Sequence, residues 1–120
     1  MATYRLLGQT APYQSSAAEF VLVPLGEEVL FRGFVLTVLL IALRRYLPAL
    51  AAARWAVVIG AVGFGVGHLG NFGYVPVAFL LIQVAVAVAI ALVAGWLRML
   101  TGSLVGAILV HAAINVVAVA

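Results

Sequence analysis

The sequence predicts an all-α, polytopic transmembrane bundle of about four helices, and three observations predict it. The first is composition: 68% of the 120 residues are hydrophobic and 8% are charged, too few polar side chains to cover a soluble globule of this size. The second is the length of the apolar runs, four of which approach or exceed the roughly 17 residues needed to cross a bilayer. The third is the placement of charge, since Arg44, Arg45, Arg54 and Arg98 fall between the runs rather than along them.

The first run, about 17–43, is interrupted by Pro24, Gly26, the pair Glu27 and Glu28, and Arg32, which makes it too polar for a plain anchor. After the loop R-R-Y-L-P-A-L-A-A-A-R, a second run extends from about Trp55 to His68. Its glycines, Gly60, Gly63, Gly65 and Gly67, suit close helix packing. The stretch L-G-N-F-G-Y (69–74) is a turn signal. A third run, Val75 to Leu97, is apolar except for Gln83, which reads as an interhelical hydrogen bond. The last, Ser103 to Ala120, follows R-M-L-T-G and begins with Thr101 or Ser103 as its cap. Residues 1–16 form an N-terminal extension without the pattern of a signal peptide, and 17–120 read as one domain without internal repeats.

Alternation of the runs puts the 44–54 loop and the turn near Arg98 on one side, and four arginines there against Arg5 on the other make that side cytoplasmic. Tyr46, Trp55, Tyr74 and Trp96 flank the runs, as interfacial aromatics do. The net charge of +3 carries no clustered basic face of the kind that binds nucleic acid. With no cysteine, thiolate chemistry and thiolate metal sites are excluded.

Ionised side chains at mid-bilayer cost about 2.5–3.5 kcal/mol each even on a mild scale, so those within the runs need partners. Glu28 and Arg32 are spaced i,i+4 with the acid first, the favourable order for a same-face pair. Glu27 points about 100° away and needs a partner on another helix, for which His68 and His111 are the candidates. His111 and Asn115 share a face of the last helix. At 1.5 Å per residue from the arginine-bearing side, Glu27 lies roughly 24 Å deep, His68 roughly 20 Å, Asn115 roughly 18 Å and His111 roughly 12 Å, compatible with one slab. A single histidine in an apolar segment is more often a packed residue bonded to a backbone carbonyl than a catalyst; the set of polar residues is what argues otherwise.

Three motifs then stand in order: E-E-x-x-x-R followed by glycine in P-L-G-E-E-V-L-F-R-G (24–33), F-x-x-x-H in F-G-V-G-H (64–68), and H-x-x-x-N in H-A-A-I-N (111–115). Together they resemble the signature of the CAAX prenyl endopeptidase and bacteriocin-processing (Abi) family, over residues from about 18 to the C-terminus. The resemblance implies a peptide-bond hydrolase working within the membrane. By analogy Glu27 with His68 holds and deprotonates the attacking water, His111 and Asn115 donate hydrogen bonds to the oxyanion, Glu28 with Arg32 orients the first helix, and Phe64 gives structural support. Ser15, Ser16, Ser103 and the threonines are then bystanders.

The resemblance further implies a metal-free glutamate mechanism without cofactor. Zinc held by Glu27, His68 and His111 is the rival, although no H-E-x-x-H is present. The implied substrate is a prenylated tail, a leader peptide or a membrane protein; the lipid bilayer is the other partner, nucleic acid is none, and self-association would help four helices enclose a site. A multi-pass location in a prokaryotic cell membrane is expected. Two non-proteolytic readings compete: an inactive immunity or scaffold protein that keeps the polar core, and a small proton transporter. Family members usually carry further helices, so a chain ending five residues after Asn115 reads as a fragment, a minimal member or an incorrectly started frame.

Overall fold

In a bilayer every backbone N–H and C=O must be satisfied within the chain, and the described residues do so almost wholly with helices. The computed structural model describes residues 17–119, with side chains from 21 to 117; the 1–16 extension and Ala120 lie outside the described residues. Six pieces join into four rods: α1 (Ala17–Glu28), a π-helical segment (Val29–Val35) and α2 (Leu36–Leu43) form the first, followed by α3 (Ala49–Gly67), α4 (Val77–Thr101) and α5 (Val105–Val119). The all-α bundle is therefore what the sequence predicts. Of the four rods, α3 with its following 3-10 turn (Ala49–Asn71) and α4 are long and apolar enough to cross a membrane, with mean hydropathy 1.8 and 2.9. The 15-residue α5 spans roughly 22 Å at 1.5 Å per residue.

Helix ends differ from the sequence expectation for local reasons. α3 begins six residues earlier than Trp55, because Pro48 (ψ 151°) caps it and the alanines that follow are the strongest helix formers. α4 runs on to Thr101 and is closed by Gly102 at φ 69°, whose N–H donates to Arg98 O; this left-handed position is cheap only for glycine. Of the two candidate caps, Ser103 begins α5, its Oγ accepting from the Val105 N–H at 3.2 Å. Thr101 instead donates to Leu97 O at 2.7 Å. Pro24 stays inside α1 and is buried.

Small residues bring α3 and α4 together. A Cβ on Gly95 would sit 3.0 Å from Val57 Cγ1. One on Gly65 would overlap Val88 Cγ2 and lie 3.3 Å from Val84 O. Gly63 and Gly67, expected to pack in the same way, would meet nothing within 4 Å. Overpacking costs about 1–3 kcal/mol, because a branched valine and a backbone carbonyl cannot yield. Gly65→Ala should therefore lower unfolding stability in detergent by about that much, whereas Gly63→Ala should leave it unchanged or slightly raised; thermal melts of the two variants followed by circular dichroism make the comparison.

Candidate active site

Two adjacent glutamates on one helix cannot share a face, and the structure uses that divergence. Glu28 is fully buried, and Arg32, one turn on, is 3% exposed. Arg32 Nη1 approaches Glu28 Oε1 at 3.0 Å, an ion pair out of line for a hydrogen bond. The Arg32 guanidinium also lies over the Phe64 ring, 4.5 Å from its centroid, a cation–π contact that replaces part of its lost hydration.

The same Glu28 oxygen meets His111 Nδ1 at 2.8 Å, joining the first rod to α5. As the counter-ion of Arg32, Glu28 accepts, so Nδ1 carries the hydrogen and donates. In the neutral ring the other nitrogen, Nε2, then holds a lone pair. That nitrogen faces Glu27 Oε2 at 3.5 Å. Glu27 thus finds its partner on another helix, as the sequence requires, but the partner is His111 rather than His68. Its side chain is 34% exposed while that of His111 is 5% exposed, so a continuous chain Arg32–Glu28–His111 runs from the interior to a carboxylate that other molecules can reach.

Phe64 is the hub of this cluster. It is 2% exposed, and the rings of His68, His111 and Phe31 stand edge-on to it at centroid distances of 5.0, 5.5 and 5.0 Å. His68 closes α3 and donates Nδ1–H to Phe64 O at 2.9 Å, so its Nε2 is likewise the unprotonated nitrogen of the neutral ring. Among the described residues no ion pair joins His68 to Glu27. The turn that follows is tied to α4 by Asn71 Nδ2 donating to Gln83 Oε1 at 3.0 Å, the interhelical bond anticipated for Gln83. Asn115, one turn beyond His111, is half-buried and its amide bonds to no described residue.

A family model described as type II CAAX prenyl endopeptidase Rce1-like matches residues 11–117. The chain belongs to the Rce1-like family. No curated protein and no solved structure matches it. Membership makes it a membrane-embedded protein of the CAAX-type endopeptidase kind, and all three motifs fall within the matched residues. In this Rce1-like chain no three His, Cys, Asp or Glu side chains among the described residues lie close enough together to hold a metal ion. Glu27, His68 and His111, which the rival zinc mechanism would require, do not form such a group.

Three features of the Rce1-like site escape sequence reasoning. The π-helical segment is one: the Leu36 N–H reaches back five residues to Phe31 O, a widening common at functional positions that residue types and spacing do not mark. Phe31 is another, although its place four residues after Glu27 and three after Glu28 put it on the glutamate face. The third is the second partner of Glu28. Its pairing with Arg32 along the helix looked complete, and a carboxylate oxygen has room for more than one donor.

Proposed function

We propose that this chain is a multi-pass intramembrane endopeptidase in which Glu27 activates water for attack on the peptide bond of a membrane-held substrate. The observation that carries the reading is the Glu27–His111–Glu28–Arg32 chain, buried at one end and open at the other. A water within hydrogen-bonding distance of both Glu27 Oε2 and His111 Nε2 would complete a triangle on their 3.5 Å edge. Its oxygen bonds to the substrate carbonyl carbon as one of its protons passes to Glu27. The oxyanion so formed is matched by the amide of Asn115, which bonds to no described residue and is a donor in every protonation state. The carbon–nitrogen bond then breaks as Glu27 delivers its proton to the departing amine.

Charge accounting supports this order. Two carboxylates and one guanidinium leave the cluster one unit negative, and taking a proton from water brings it to neutrality at the moment negative charge appears on the substrate. His111 then serves best beside the base, its Nδ1–H committed to Glu28, instead of donating to the oxyanion. His68 lines the site from the end of α3, with Phe64 fixing its ring. Prenylated peptides, leader peptides and membrane-protein segments share the property the site asks for, an apolar part that lies in the bilayer beside the scissile bond. The mechanism proposed uses no metal.

Protein reconstituted in liposomes should cleave at least one peptide from a panel of prenylated and leader sequences, with products identified by mass spectrometry. Cleavage should survive a strong chelator. Loss of activity on chelation, restored by stoichiometric zinc, would replace the metal-free scheme; no cleavage of any panel member by a folded protein would favour an immunity or scaffold role.

A further inference from the structure

The arginine-rich end of the bundle carries a feature the peptidase chemistry does not use. α3 and α4 are antiparallel neighbours, and toward this end they are in close contact where Gly95 meets Val57. One turn further toward the same end stand Arg54, three residues before Val57, and Arg98, three residues after Gly95. Both therefore lie at one level on adjacent helices. One apolar cluster links α2, α3 and α4 there, with Leu43, Ala56, Val57, Trp96 and Met99 among its members. Arg44 follows Leu43 directly, and Arg54 and Arg98 stand two residues from the cluster members Ala56 and Trp96.

None of these arginines has an acidic partner among the described residues, where every ion pair involves Glu27 or Glu28. Arg54 is exposed. Arg98 is half-buried, and its Nε is shut off from solvent without a hydrogen-bond partner. Shielding of Nε while the rest of the guanidinium stays accessible leaves the two terminal nitrogens to make a paired contact. Guanidinium matches phosphate in that manner, as an ammonium does not. Beside the charges lie broad apolar faces, with Trp55 55% exposed and Leu100 78% exposed.

We propose that Arg54 and Arg98 form a binding site for the phosphate of an anionic phospholipid headgroup, whose acyl chains run along the neighbouring apolar surface. The inference rests on the bundle sitting in a bilayer and is independent of peptidase activity. A headgroup is favoured over a soluble anion because only a lipid satisfies the charge and the exposed apolar surface together. Each basic side chain near a membrane surface contributes roughly a fivefold gain in affinity for anionic lipid.

Native mass spectrometry of the protein in neutral detergent, titrated with phosphatidylglycerol or phosphatidylcholine, tests the site. Phosphatidylglycerol should be retained preferentially. Arg54→Gln and Arg98→Gln should each weaken it about fivefold and the double variant about 25-fold, with Arg45→Gln as the comparison expected to change it less. Arg98→Lys, which keeps the charge, should fall between wild type and Arg98→Gln and stands in should the latter fail to fold. Equal binding of the two lipids, equal small losses in all single variants, or displacement of phosphatidylglycerol by equimolar inorganic phosphate would each overturn the proposal.

Discussion

Glu27→Gln is expected to lower the cleavage rate by about 10²–10⁴-fold, the usual contribution of a positioned general base, while the protein stays folded and membrane-inserted. Glutamine keeps the shape of the side chain, and at 34% exposure and 3.5 Å from His111 Glu27 makes no buried bond whose loss would open the structure. What glutamine cannot do is accept the proton from water, and without the Glu27 charge a proton taken up at His111 Nε2 would leave the cluster, whose remaining Glu28 is already offset by Arg32, one unit positive. Initial rates in liposomes, with circular dichroism and gel filtration as folding controls, give the comparison. A loss smaller than tenfold in a well-folded variant removes Glu27 from the base role. A parallel loss from Asn115→Ala, without change in melting temperature, would place the oxyanion contact on α5.

How far the sequence determined this site can be followed residue by residue. The four rods were legible because apolar run length is a one-dimensional property, and the bilayer enforces helix on any such run. Glu28 with Arg32 was legible because i,i+4 pairing along one helix needs no knowledge of the rest of the chain. The choice between His68 and His111 as the partner of Glu27 was not. Both histidines fall in the same depth range, and selecting one depends on rotation of helices about their axes. That rotation is set here by the π-helical turn after Glu28 and by the close contacts at Gly65 and Gly95. Glycine in a membrane sequence says that close packing is possible somewhere; it does not say against which helix, and Gly63 and Gly67 show that some glycines pack against nothing. Phe64 illustrates the same limit, because the F-x-x-x-H motif singles it out as a support without saying that the rings of Phe31, His68 and His111 all stand against it.

Arg32→Met should destabilise the protein by about 3–5 kcal/mol, the cost of leaving a buried charge without its partner. Glu28 is wholly buried, so no rotamer carries it to solvent, and its other partner, His111, supplies a single hydrogen bond. The double variant Glu28→Leu/Arg32→Met removes both charges and should recover much of that loss, since apolar replacement of a buried ion pair is often close to neutral. Recovery should nevertheless be incomplete. His111 Nδ1–H loses its acceptor while the residue remains buried, which costs about 1–3 kcal/mol. Unfolding titrations in mixed micelles of the two single variants and the double variant measure the coupling. If the double variant is as unstable as the sum of the singles, Glu28 and Arg32 act separately and the pair does not anchor the site. If the double variant matches wild type, the His111 bond contributes nothing to the fold. The intermediate outcome assigns the ion pair to stability and the Glu28–His111 bond to orientation, holding Nε2 toward Glu27 where the chemistry needs it.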